Sequence, residues 1–171
     1  METSKKPEQI IIREIEESDN SALAHIVRDT LKEFGANRPG TVYYDQTTDY
    51  LFQVFSKARR AVYYVAERER QVLGGAGIFP SAGLPDDTCE LVKMYLVPSA
   101  RGMGLGRLLI QKCIDFALTV GYKNIYLETM PELKQALKTY EKFGFEYLDG
   151  PMGNTGHFGC DRWMLKKMRD E

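Results

Sequence analysis

Apolar positions along this chain repeat with two different periods, and the change from one to the other marks out its elements. Gln9–Arg13 (QIIIR) is a short β-branched run and predicts a strand. Ser18 or Asp19 can cap a helix, and Ala22, Leu23, Ile26, Val27, Thr30, Leu31 and Phe34 follow at helical spacing up to Gly35. After a loop, Ala36–Tyr44, a second helix is expected over Gln46–Ala58, with Tyr50, Leu51, Val54 and Phe55 on one face. Ala61–Glu67 and Val72–Phe79 read as two strands joined by a charged turn, a hairpin. Gly74, Gly75 and Gly77 weaken the second of these and suggest a bulge or a close backbone neighbour.

The central stretch is Cys89–Ala117. It reads as a buried strand (Cys89–Val97), a break at Pro98, a glycine-rich turn (Arg101–Gly106) and an amphipathic helix from Gly104 to about Val120. In the strand, simple alternation puts Glu90, Val92, Met94 and Leu96 on one face and Leu91, Lys93, Tyr95 and Val97 on the other. Asn124–Thr129 is a further strand. Thr129 and Glu132 fit a capping box for a helix over Pro131–Phe143, whose face carries Leu133, Ala136, Leu137 and Tyr140. Phe145–Leu148 and Arg162–Lys166 are the last strands, separated by a loop rich in Gly and Pro. This order predicts an α+β fold with a mixed sheet: hairpins imply antiparallel pairs, and the strand–helix–strand unit implies one parallel crossover. Residues 9–168 are expected to form one domain behind a flexible tail, 1–8.

Composition narrows the function classes. A net charge of -1 offers no electrostatic case for nucleic acid or an acidic membrane surface. No apolar run approaches the ~20 residues of a membrane span, and the polar start lacks a signal-peptide core. Cys89, Cys113 and Cys160 are scattered, with no metal-ligand spacing. The expectation is a cytoplasmic protein without a metal.

A strand, a glycine turn and a helix start make an anion site, because the first N–H groups of a helix lack intrahelical partners and the helix dipole favours negative charge. A nucleotide P-loop needs Lys-Ser or Lys-Thr after the last glycine, and neither follows Gly106. A dinucleotide fingerprint needs a third glycine where Arg107 stands, although Glu128 lies where a ribose-binding acid would. Coenzyme A remains.

Arg101-x-x-Gly104-x-Gly106, followed downstream by Ala136, Tyr140 and Gly144-Phe145 at their spacing, resembles the GNAT superfamily of acyl-CoA-dependent N-acyltransferases. The order of elements from Gln9 to about Lys166 is similar as well. The resemblance implies a central, mostly antiparallel mixed sheet flanked by about four helices. It implies acetyl-CoA as co-substrate, held by Tyr95, Leu96, Val97, Arg101, Gly102, Met103, Gly104, Leu105, Gly106, Arg107 and Tyr140, with Lys142 as a further cation near the phosphates. Pro98, which cannot donate a ladder bond, would splay the strand for the pantetheine arm.

The same resemblance makes Tyr140 the candidate general acid and Glu90 the candidate base. Tyr140 also has a bland reading, as a core residue of its helix face. Tyr43, Tyr44, His157 and Phe158 would line the acceptor pocket, and the loops that carry them are aromatic and nearly neutral. His157 is also an alternative base. A Cys160 nucleophile with His157 is disfavoured, because the family mostly uses direct attack. The activity expected is transfer of an acetyl group to a primary amine of a small molecule, amino acid or peptide within a ternary complex. The alternative is a non-catalytic acyl-CoA-binding regulatory domain. The partner expected is the amine acceptor, not nucleic acid or membrane, and a homodimer is compatible with the sequence.

Overall fold

The computed structural model describes residues 9–169, so the expected tail, 1–8, lies outside the described residues. Seven strands form one sheet: β1 (Ile10–Glu14), β2 (Val62–Arg68), β3 (Gln71–Phe79), β4 (Thr88–Leu96), β5 (Asn124–Thr129), β6 (Glu146–Leu148) and β7 (Arg162–Lys167). Their spatial order is β1-β2-β3-β4-β5-β7-β6, with β4 and β5 parallel and every other pair antiparallel. Among the described residues there are four α-helices, α1 (Asn20–Glu33), α2 (Leu51–Lys57), α3 (Leu105–Thr119) and α4 (Lys134–Lys142). The mixed sheet and its single parallel crossover agree with the sequence reading.

Strand alternation sorts the core into two layers. Val62 and Ala66 of β2 face α3, packing with Leu105, Leu109 and Ile110, whereas Tyr63 and Val65 face Leu23 of α1 and Leu51 and Phe55 of α2. A third cluster joins Val27 and Leu31 of α1 to Met130 and Cys160, beneath the ends of β4 and β5. Among the described residues, no helix is long and apolar enough to cross a membrane.

Three local departures from the sequence reading have identifiable causes. The second helix begins as a tighter 3₁₀ stretch, Gln46–Tyr50, before α2. The capping box does not form: Thr129 stays in the ladder opposite Arg162, and Glu132 takes a hydrogen bond from Arg38 at 2.6 Å, so α4 starts only at Lys134. Asp19 precedes α1 but does not cap it through its side chain. Its carboxylate accepts instead from the Arg13 guanidinium at 2.8 and 2.9 Å and from the Glu16 N–H at 2.7 Å.

The fourth departure shapes the centre of the molecule. Between Gly75 and Gly77 the β3–β4 register slips by one residue, so Lys93 and Met94 together face Ala76. This is a β-bulge, and Lys93 takes the left-handed φ of 50° at its apex. Glycine is needed alongside: a Cβ at Gly74 would overlap the Tyr95 carbonyl oxygen. The bulge inverts the alternation expected for β4. Val92 packs on the α1/α2 side, but Met94 and Leu96 pack with the α3 core and Tyr95 with the α1 cluster. The expected grouping of Glu90 and Val92 with Met94 and Leu96 is therefore wrong.

Candidate active site

β4 and β5 pair only over Thr88–Glu90 and Asn124–Tyr126. Beyond Glu90 they diverge, while β5 stays hydrogen-bonded to β7 up to Thr129. The expected splay therefore exists, but it opens before the bulge rather than at Pro98. A cavity of about 790 Å³ fills the wedge. Its walls come from β4, the glycine turn, the end of β5, α4, the late loop and the segment preceding α2.

One end of the cavity is the start of α3. Gly104, at the helix N-cap, is left-handed with φ 79°. The first N–H to bond back is that of Leu108, to the Gly104 carbonyl at 3.2 Å, so the N–H groups of Leu105, Gly106 and Arg107 precede the intrahelical ladder. Arg107 is exposed on the wall and has no hydrogen-bonding or ionic partner among the described residues. Lys142, also exposed, lines the cavity too. Arg101 is engaged elsewhere: it grips both oxygens of Glu33 at 2.9 Å and donates to the Leu96 carbonyl at 3.2 and 3.1 Å. Its side chain fixes the turn, and the residue also lines the cavity as expected. Tyr95, Leu96, Gly102 and Gly106 line the wedge as expected, but Val97 and Met103 do not. The Val97 N–H donates to the Leu73 carbonyl at 2.8 Å, on the β3 side, and Met103 is half exposed at the turn.

Tyr140 reaches the cavity from α4. Its ring packs edge-to-face on Phe145 at 5.9 Å, and its hydroxyl makes no hydrogen bond to any described residue. Burial raises the phenol's pKa, so the proton stays on the oxygen at neutral pH.

Glu90 stands where β4 and β5 part. It is only 3% exposed, and its Oε2 is enclosed without a hydrogen-bond partner. Burial and, secondarily, the Glu128 charge raise its pKa to about 7, against the opposing influence of His157, Lys93 and Ser81. A carboxyl group so placed exchanges its proton close to neutrality.

Beside it runs a hydrogen-bonded chain. The His157 Nε2–H donates to Asp45 Oδ2 at 2.7 Å, and Nδ1 lies 3.6 Å from Glu128 Oε2. Glu128 accepts from the Tyr126 hydroxyl at 2.8 Å, and the Thr155 hydroxyl lies 2.9 and 2.8 Å from its two oxygens. Burial opposes the charged imidazole, but the bond to Asp45 and the Glu128 carboxylate outweigh it and raise the His157 pKa to about 9. With its pKa near 9 the ring favours the imidazolium at neutral pH, its Nε2–H bonded to Asp45 and its Nδ1 facing Glu128 at 3.6 Å, which makes it a poor base there. Lys93 lines the same cavity, its Nζ 3.9 Å from Asp45 Oδ2. Burial lowers its pKa against the pull of Asp45 and Glu90.

Of the four residues expected in the acceptor pocket, only His157 lies on the wall. Tyr43 packs toward α1, Tyr44 stacks edge-on against it at 5.1 Å and is 59% exposed, and Phe158 is 83% exposed over Gly40. The short turn Val42–Tyr44 carries Val42 and Asp45 inward instead. Cys160 is buried with Val27 and Leu31, and burial pushes its thiol up to about 12, so it forms no nucleophile–base pair with His157. The sequence reading missed Asp45, Lys93 and Thr155 and weighed Glu128 only for a ribose. Among the described residues, no group of three or more His, Cys, Asp or Glu side chains is arranged to hold a metal ion.

Residues 23–145 match the family model described as the acetyltransferase (GNAT) family. An uncharacterised N-acetyltransferase of Escherichia coli K12, YjgM, is 39% identical over 163 residues, covering 95% of this chain and 97% of that protein. A GNAT-family acetyltransferase from Staphylococcus aureus Mu50 superimposes with a TM-score of 0.79 at 18% identity, over 94% of this chain and 100% of the other. The PaiA N-acetyltransferase of Thermoplasma acidophilum, solved in complex with coenzyme A, gives 0.71 at 18% identity, over 94% and 99%. At these identities, the two structures speak for the fold.

Proposed function

The chain belongs to the GNAT acetyltransferase family and is an N-acyltransferase, and from that premise we propose that it transfers an acetyl group from acetyl-CoA directly to a primary amine bound in the β4/β5 wedge. The observation that carries the proposal is Glu90: a buried carboxylate with an unpartnered oxygen and a pKa near 7, in the same cavity as a phenol held protonated.

The residues present fit the donor. The N–H groups of Leu105, Gly106 and Arg107 would take its pyrophosphate, with the Arg107 and Lys142 side chains beside it. The backbone of β4 beyond Glu90 has no strand partner on the β5 side and would pair with the pantetheine amides. Acetyl-CoA, when bound, supplies the acyl group already activated as a thioester.

The acceptor arrives as an ammonium, with an ordinary pKa near 10.4, and must lose a proton before its nitrogen has a lone pair. Glu90, ionised above about 7, accepts that proton directly or through a water. The nitrogen then bonds to the acyl carbon and the carbon–sulfur bond breaks. Tyr140 gives its proton to the departing sulfur; the second proton of the acylated nitrogen then passes, directly or through a water, to the Tyr140 phenolate, leaving the neutral amide, while Glu90 releases its own proton to solvent. An unpaired N–H of β4 beyond Glu90 would stabilise the developing oxyanion. His157, already an imidazolium, positions Asp45 and Glu128 and leaves the base role to Glu90.

Thiol release from acetyl-CoA, followed across a panel of primary amines, tests this reading alongside calorimetric titration of CoA. Turnover with at least one amine, lost in Glu90→Gln, supports it. CoA binding with no turnover of any amine would favour a regulatory acyl-CoA-binding domain instead.

A further inference from the structure

The bulge in β4 brings together two groups that straight strand geometry would have kept apart. Without it, Glu90 and Lys93 would project from opposite faces of the sheet. With it, both line the same cavity. A lysine at φ 50° is an unfavourable backbone state, of the kind that concentrates at functional sites. The surrounding fold enforces it: the Tyr63 hydroxyl donates to the Lys93 carbonyl at 2.7 Å, and Gly74 admits the neighbouring strand.

Of the two cations beside Asp45 in the cavity, His157 and Lys93, Lys93 is the less satisfied. Its side chain is 11% exposed and makes no hydrogen bond to any described residue; its nearest anion, Asp45 Oδ2, is 3.9 Å away and already receives the His157 N–H at 2.7 Å. Glu90 Oε2 is likewise enclosed and unpartnered. Apart from Arg107 and Lys142 at the glycine turn, the cavity therefore holds a lysine amino group without a hydrogen-bond partner among the described residues and, in Glu90, a carboxyl oxygen without one. The ligand that satisfies both bears an ammonium and an anion close together.

We infer that the acceptor is a free amino acid, its ammonium directed to Glu90 and its carboxylate to Lys93. This rests on the acetyltransferase reading above and deepens it. A simple alkylamine leaves Lys93 with only the Asp45 carboxylate at 3.9 Å, which it shares with His157. A polyamine brings further positive charge against Lys93 and His157. A lysine side chain within a protein carries no carboxylate near its amine.

The test compares each of several α-amino acids with its amide and with the amine formed by removing its carboxylate, under wild-type enzyme and Lys93→Met. The wild type should prefer the acid over both derivatives by about 100-fold in kcat/KM, as expected for a charge pair formed out of water. In Lys93→Met that ratio should fall to within about tenfold, chiefly through KM for the acid, and Lys93→Arg should restore part of it. Wild-type enzyme that uses the amides or decarboxylated amines as well as the acids overturns the inference while leaving the transferase reading intact. So does a Lys93→Met protein with native circular dichroism whose preference persists. Failure of every amine, with CoA still bound, refutes the transferase reading and this inference with it.

Discussion

Glu90 stands in the fold at a cost, and that cost can be measured apart from any reaction. In the unfolded chain its carboxyl ionises near 4.5, but in the fold it does so near 7. Below about 4.5 it is protonated in both states and the penalty vanishes. Above about 7 it is ionised in both, and the folded state carries the full cost of a charge taken out of water. At about 1.36 kcal/mol per pH unit, the gap corresponds to about 3 kcal/mol of stability lost as pH rises through that window. Glu90→Gln removes the titration but keeps the shape. Urea unfolding of both proteins between pH 4.5 and 8 isolates the effect, because other titrations largely cancel in the difference. The variant should gain on the wild type by about 3 kcal/mol across the window and then level off. The amide's own unsatisfied group shifts this curve vertically without bending it. A stability difference that stays flat with pH would refute the burial argument. In the same pH range, wild-type kcat/KM should rise with an apparent pKa near 7, and that limb should be absent in the variant.

Other outcomes follow from the same geometry. Tyr140→Phe keeps the packing on Phe145 and should lower kcat by about 100-fold in thiol-release assays, with CoA affinity changed only a few-fold. Asp45→Asn should drop the His157 pKa from about 9 toward its ordinary ~6.5, as read by NMR titration of the two histidines, with exposed His25 as the internal control. The stability contributed by the charged imidazole is present below ~6.5 and lost as pH rises through about 9, so Asp45→Asn should be destabilised at pH 7 and converge with wild type above that range. Gly74→Ala drives a methyl group into the Tyr95 carbonyl and should cost about 3 kcal/mol or more in urea unfolding, with loss of the β4 bulge.

Much of the architecture was legible because it is periodic. The alternation in β2 and the helical spacing of Leu23, Ile26, Val27 and Leu31 report burial directly, and the glycines before α3 mark a left-handed turn that other residues avoid. Glu90 stood out as a carboxylate in an apolar strand. What failed was whatever depended on register. A single extra residue in β4 reverses every side chain after it, and no pattern in CELVKMYL marks where the slip occurs; only the glycines of β3, on the opposite strand, hinted at it. Lys93 was hidden for that reason. Asp45 and Thr155 lie in loops without periodicity, and their roles arise from contacts with His157 and Glu128 that span long separations in sequence. The aromatic residues Tyr44 and Phe158 drew attention by type, yet the backbone turns them to solvent.

The position of β7 has a consequence for how the molecule is made. It lies between β5 and β6, both of which precede it in the chain, so the sheet closes only when its last strand slides between two that already exist. Until then β5 holds to its neighbours through three residues of β4 alone, Thr88–Glu90. The loop bearing Thr155 and His157 is anchored at its far end by the same strand. A nascent chain that has emerged as far as α4 therefore has its glycine turn in place but not the Asp45–His157–Glu128 chain. Such a topology forms through contacts between distant residues and is slow for that reason. Acceptor chemistry should consequently be the last property acquired during folding, and the first lost when the β5–β7 pairing opens.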